Sequence, residues 1–598
     1  MQQIPNSGGS YSMRTKRTQP ALPGATLPTT ALQAASQGYP LQSYEPHAPL
    51  KKRPNHLRRA LLLLVSTGIL LEVLFLACYP LLAALVPHND AAERALLALL
   101  PWRTRLYWTT TFPQLASTVS RLPFFDLATR VGQANFLLCL LVVAFLLTLT
   151  AARTGSRIVR ERLSPGALRA LYVTFLLFTL LFGLTFLFAP AVLSQDIFLY
   201  GMYGRLVTVY HVNPYTVTLN SFPHDMLQSG LSQGQTGGNP PGPVWLDLSI
   251  PVVLFARSSV ANVLLGFRLL GLAAHIVNAM LLWVILAKLK PQARIYATLL
   301  YAWNPLPLLL SVASMHLECV LVLFLLLAIL FFQRNSPVLA WVLVLLAALM
   351  SALCLLFLPL FFRLLVRSAH NLYGFPRALW WLMVACLTAI VLILSYLPYW
   401  QGWGINGLLV HLRHVFLQDT AINSLDAALL SLPVKLLPPL AWLAIPHHWT
   451  ILALVVISLL LLFGIWLTDD NAFVVLFSSW VSLTLLVLLP AYWPWYVILP
   501  LALALCSAHN RTILLTLLLA AAALLSCYFW LLPPAWTSQA LLTIGIPLLI
   551  WGWTLFFTST WAMIYANNTE QPSRPGRRGF SRPSRTFLSR PSWPSRRR

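Results

Sequence analysis

Apolar runs of about 18 to 25 residues, each long enough to cross a hydrocarbon core of about 30 Å, recur from near residue 60 to near residue 562. A chain that meets lipid so often must satisfy its backbone polar groups inside helices. The expected fold class is therefore all-α integral membrane, with about fourteen transmembrane helices near 60–86, 134–152, 167–190, 261–288, 294–313, 316–333, 336–351, 352–366, 378–398, 449–467, 472–490, 493–508, 512–533 and 540–562. Composition agrees, since the chain is 58% hydrophobic, 9% charged and has a mean hydropathy of +0.74.

The formal charge of +25 would point to nucleic acid in a chain without apolar spans, but here it is concentrated in the tails. Residues 1–59 hold eight Lys/Arg and one acid, and residues 566–598 hold nine and one. Both tails are rich in Pro, Ser, Gly and Arg, which predicts disorder. Beside membrane spans their natural partner is anionic membrane lipid, and no nucleic acid partner is expected. Seven cysteines without a CxxC pair make neither a disulfide framework nor a zinc site.

Basic clusters at Lys51–Arg59, Arg153–Arg169, Lys288–Arg294, Arg363–Arg377 and the C-terminal tail should all face the cytoplasm. Fourteen spans satisfy this, with both termini cytoplasmic. The short stretch Pro243–Ala256, which contains Asp247, must then be a juxtamembrane or re-entrant helix. Residues 336–366 must form two short helices meeting near Cys354. Two long outer loops follow, about 191–260 and 399–448. They collect several acids together with His211, His224, His411 and His414.

Asp196 stands out because it follows an apolar span and opens the polar stretch SQDIFLYGMYGRLVTVYHVNPY, Ser194–Tyr215. A carboxylate at the end of a span is costly without a partner or a task. If 196–210 is helical, Asp196, Tyr200 and Tyr203 share a face, while Gly201 and Gly204 allow close approach on a neighbouring one. An acid among aromatic rings suits a sugar, whose hydroxyls need acceptors and whose C–H face packs on rings. The same residues would also serve as a helix cap and an aromatic belt.

His316 and Glu318 sit at the outer end of the fifth span, which Asn304 and Pro305 break. They would position Asp196, an acceptor or a metal, or simply pair with each other at the interface. The rigid aromatic stretches GNPPGPVW, Gly238–Trp245, and PAYWPWYVILP, Pro490–Pro500, lie on the same side and could equally anchor the protein in headgroups. Arg205, Arg257, Arg268, Arg413 and Lys435 are the outer cations able to meet a phosphate. No P-loop, GxSxG, HExxH or DxD pair is present, so a nucleotide-driven pump, a serine hydrolase and a zincin have no foundation. Without DxD, a sugar nucleotide held through a metal also loses its usual binding residues.

QDIFLYGMYGR with HVNPY (Gln195–Tyr215), GNPPGPVW, WNPLP with HLE (Trp303–Glu318) and YWPWYVILP (Tyr492–Pro500) together resemble the polytopic GT-C glycosyltransferases. Within them, they resemble the polyprenol-phosphate-mannose-dependent α-1,6-mannosyltransferases of bacterial envelopes. The resemblance covers about residues 165–510. Relatives often carry His-Asn-Asp where this chain has His316-Leu317-Glu318, and Tyr-Gly-Pro where it has Pro241-Gly242-Pro243.

The resemblance implies a GT-C-like catalytic core over 165–510. Outside it lie an N-terminal tail (1–59), two N-terminal helices with an outer loop (60–164), C-terminal helices (511–564) and a C-terminal tail (565–598). It further implies an inverting transferase that moves a hexose, expected to be mannose, from a polyprenyl-phosphate sugar donor to an extracytoplasmic glycan or glycolipid acceptor. Asp196 would be the general base, and Tyr200, Tyr203, Arg205, Asn213, Tyr215, His316, Glu318, Trp493 and Tyr496 would bind substrate. No cofactor is certain, and a divalent metal stays open. The competing expectation is a transporter or flippase of a lipid-linked glycan, in which the same acids and aromatics would line a path.

Overall fold

The computed structural model describes residues 54–85, 113–122, 124–159, 164–189, 194, 196–231, 240–370, 373–416, 423–425, 448–467, 471–489, 491–531 and 539–569. Every long regular element among them is helical. The helices used below are α1 (Pro54–Leu85), α2 (Arg130–Val159), α3 (Pro165–Leu187), α4 (Asp196–Thr208), α5 (Pro243–Ala256), α6 (Val260–Leu289), α7 (Arg294–Ala302), α8 (Glu318–Gln333), α9 (Pro337–Met350), α10 (Leu358–Ser368), α11 (Phe375–Tyr396), α12 (Gly404–Phe416), α13 (Asn471–Leu488) and α14 (Ile498–Ser507).

Among the described residues, five helices are long and apolar enough to cross a membrane: Arg58–Leu85 of α1, most of α2, α3, α6, and Phe375–Tyr399, which is α11 and the turn after it. A sixth arises if α7 and Pro305–Ala313, bent by 41°, act as one span. Among the other apolar helices are shorter ones, such as α8 with 16 residues and α9 with 14. The expected fourteen crossings are not confirmed by helix length among the described residues. The expected span 294–313 is divided by the backbone at Asn304-Pro305, whereas the breaks at Asn335 (φ 58°) and Ser351 fall at expected span boundaries.

Pro243–Ala256 forms α5, whose 14 residues span about 21 Å and fall short of a crossing. The run 336–366 divides as expected: α9 ends at Met350, a 3-10 turn over Ala352–Phe357 carries Cys354, and α10 follows. Helix α1 already begins at Pro54, within the stretch expected to be disordered tail. The final helix, Ile546–Thr569, continues past the expected end at 562. Residues 1–53 and 570–598, with Asp419, Asp426 and Lys435, lie outside the described residues.

The broken span is the organising feature of the core. Asn304 caps Pro305–Pro307 by accepting from the Leu306 N–H at 3.0 Å, and the next turn, Leu308–Ala313, is a π-helix. Breaking a helix frees carbonyls that lipid cannot satisfy. Side chains from α2 and α6 take them up: Thr148 donates to Trp303 O at 2.8 Å, Nε2 of His275 meets Ala302 O at 3.2 Å, and Arg268 donates to Ala313 O at 2.9 Å. Asn278 donates to Cys319 O at 2.8 Å, at the start of α8. Arg268, His275 and Asn278 are all fully buried and project from α6 toward the break. At Gly271 the two elements touch, because a Cβ there would sit 2.1 Å from Ser311 O. No larger residue fits between α6 and the π-turn.

Candidate active site

Helix α4 begins at Asp196, whose N–H donates to the buried Ser194 Oγ at 3.1 Å. The helix packs on α5 at Gly204, where a Cβ would lie 2.7 Å from Val253 Cγ2 and 3.2 Å from Ser249 O. Against α6 it packs at Gly201, with Val263 and Leu227 under 3.0 Å from an added Cβ. These approaches turn the Asp196 end of α4 toward the end of the broken span.

At that end the π-turn leads through Met315, in left-handed backbone at φ 46°, to His316, whose N–H donates to Leu310 O at 3.0 Å. The fully buried imidazole of His316 brings Nδ1 to 3.3 Å from Asp196 Oδ2, and the Asp196 side chain retains 17% exposure. Neither ring nitrogen of His316 completes a hydrogen bond. His316 instead stacks on Trp495 at 4.0 Å and 12°, and Trp495 stacks in turn on Trp493 at 5.1 Å and 5°. Two stacked tryptophan rings thus hold the imidazole plane beside the carboxylate.

Tyr200, Glu318 and Tyr496 close the cluster. Asp196, Glu318 and Tyr496 all lie within electrostatic reach of the Tyr200 phenol, which also meets the Leu317 backbone N–H. Tyr200 packs edge-on against Trp245 at 4.9 Å. Burial first, and the Asp196 carboxylate second, push the Tyr203 phenol above the usual tyrosine range, so it remains a donor. Glu318, buried at the first turn of α8, lines a cavity of about 40 Å³ with Ser351, Cys354, Ser482 and Tyr496. That is room for about one or two waters, and Glu318 Oε2 has no protein partner.

Arg205, Asn213 and Tyr215 are placed elsewhere. Arg205 Nε donates to Asp225 Oδ2 at 2.8 Å, Tyr210 donates to the same oxygen at 2.8 Å, and Asp225 Oδ1 accepts from Leu227 N at 2.9 Å. Asn213 Nδ2 donates to Tyr399 O and Gln401 O at 2.7 and 3.0 Å, and Tyr215 donates to Pro241 O at 2.7 Å. HVNPY is thus fastened both to the α11–α12 junction and to the residues just before α5. Arg268, proposed among the cations, faces the broken span rather than an open surface.

Trp495 escaped sequence reasoning although it stands between Trp493 and Tyr496. The 3-10 turn Pro494–Val497 decides which of these rings meets His316, and no sequence periodicity encodes that. Among the described residues no three His, Cys, Asp or Glu side chains converge, so no residue is assigned to a metal.

The family described as alpha-(1->6)-mannopyranosyltransferase, N-terminal domain, matches residues 105–367, a stretch that contains Asp196, His316 and Glu318. No curated protein and no solved structure matches the chain. The matched domain supports an enzyme of sugar transfer that needs a sugar donor and a glycan acceptor. Residues 105–367 are thus similar to an alpha-(1->6)-mannopyranosyltransferase N-terminal domain, a likeness that supports a mannosyltransferase of the GT-C type.

Proposed function

We propose that the protein transfers mannose from polyprenyl phosphate to a hydroxyl of an extracytoplasmic glycan or glycolipid, with inversion and with Asp196 as general base. The observation that carries this reading is the Asp196–His316 contact of 3.3 Å, placed where α4 meets the end of the broken span. Asp196 takes the acceptor proton as the acceptor oxygen bonds to the anomeric carbon. The bond from that carbon to the phosphate oxygen breaks, and the electron pair leaves with the polyprenyl phosphate. Inversion at a β-linked donor yields the α-linkage that the family description names. His316, held by Trp495, fixes the carboxylate; Tyr200 and Tyr496 flank the sugar. The positive-inside arrangement of the basic clusters favours an outer location for this site, with both termini cytoplasmic.

The test is transfer of radiolabelled mannose from polyprenyl phosphate in membranes containing wild-type protein or Asp196→Asn at equal expression. Loss of about 10²- to 10⁴-fold in the variant is expected for removal of a general base. Wild-type transfer that survives the substitution removes Asp196 from the role. No transfer by the wild type rejects this donor.

A further inference from the structure

Beside the Asp196 cluster lies a second group of polar and aromatic side chains that the transfer step does not use. Tyr399, 2% exposed, donates to Asp247 Oδ1 at 2.8 Å, while Asp247 itself is exposed. Trp403 stacks on Tyr215 at 4.3 Å and 26°, and on Tyr396 at 5.9 Å and 20°. The phenols of Tyr203, Tyr396 and Tyr399 and the Asp247 carboxylate all lie within electrostatic reach of the Tyr215 phenol. Tyr203 in turn reaches Asp196, so the group adjoins the proposed base.

Headgroup-anchoring aromatics present single rings to the lipid surface. Here instead the Tyr215 and Tyr396 rings stack on Trp403 and Tyr399 donates to the Asp247 carboxylate, an arrangement fixed by the double bond of Asn213 to Tyr399 O and Gln401 O. Donors, an acceptor and stacked rings in one place match the alternating hydroxyls and C–H faces of a sugar. An acid also disfavours a phosphate. The facing His411 supplies no compensating charge, because burial pushes its imidazole down to about 4.

We propose that Asp247, Tyr399, Tyr215 and Trp403 form a subsite for a neutral sugar unit of the glycan acceptor. The proposal rests on the transferase reading above and assigns the acceptor, not the anionic donor, to this side of Asp196. Asp247 Oδ2 accepts from a sugar hydroxyl, and the Tyr215–Trp403 pair carries the ring.

The test is calorimetric titration of octyl α-1,6-dimannoside into the purified full-length protein in detergent, without donor. Wild type is expected to bind, and Asp247→Asn and Trp403→Leu to bind about tenfold or more weakly, the loss of a hydrogen bond to a charged group. If Trp403→Leu lowers the melting temperature, the near-isosteric Asp247→Asn decides alone. Absence of wild-type binding, or equal binding by Asp247→Asn, overturns the subsite. Because no transfer is measured, failure of the donor or of the Asp196 role leaves this result readable. In an active preparation the same variant should raise KM for the dimannoside with kcat unchanged; a fall in kcat instead overturns the assignment.

Discussion

Helix α4 carries an acid–base contact at each end, and the two are built differently. At its C-terminal end Asp225 accepts three short hydrogen bonds: Oδ2 receives Arg205 and Tyr210, and Oδ1 receives the Leu227 N–H, all between 2.8 and 2.9 Å. At its N-terminal end Asp196 meets His316 at 3.3 Å, and the imidazole completes no hydrogen bond. A carboxylate held by three donors serves the fold. A part-exposed carboxylate beside a fixed ring can take a proton.

This contrast is breakable by experiment. The largest effects should come from exchanging each acid for its amide. Asp225→Asn leaves the Arg205 charge without its partner and should cost about 3–5 kcal/mol of stability, read as a lower melting temperature of the purified protein. Asp196→Asn should leave the melting temperature in place while abolishing transfer; an equal melting loss in both would erase the distinction.

Next in size is His316→Gln, which keeps a polar group but removes the stacked imidazole. Transfer should fall about 10²-fold, with the melting temperature close to wild type. Trp495→Leu should reproduce part of that fall and shift the pH profile of kcat, while Trp495→Phe restores it. A Trp495→Leu variant with a normal profile would show that the stack does not position His316.

Smaller still, Gly271→Ala forces α6 away from the Ser311 carbonyl and should cost about 1–3 kcal/mol. It should lower transfer as well, since His316 follows that turn. The smallest expected change is Tyr210→Phe, about 1 kcal/mol for one of several bonds to Asp225, with transfer unaffected. A large loss of transfer there would move the Arg205 end of α4 into the chemistry.

The sequence made one half of this comparison legible and hid the other. Asp196 and His316 were conspicuous because charged or polar groups at the ends of apolar spans are rare and costly. Arg205 was read only as one of five outer cations, and its expected role as a phosphate ligand followed from charge alone. What no local pattern contains is Asp225, twenty residues on, which occupies Arg205 Nε at 2.8 Å. Trp403 and Tyr399 were equally opaque, since their meeting with Tyr215 spans more than 180 residues.

Apolar run length and the placement of Pro, Asn and Gly determined that the chain is helical, where α4 begins and where the fifth span breaks, because these follow from backbone hydrogen bonding within a few residues. The family motifs lie in the same local stretches. How many helices reach crossing length, which acid meets histidine and which meets arginine, and which tryptophan stacks on His316 were decided only in three dimensions. Such choices depend on the approach of α4, α5 and α6 at positions where glycine permits contact, and on carbonyls freed at one break being claimed by side chains from distant helices.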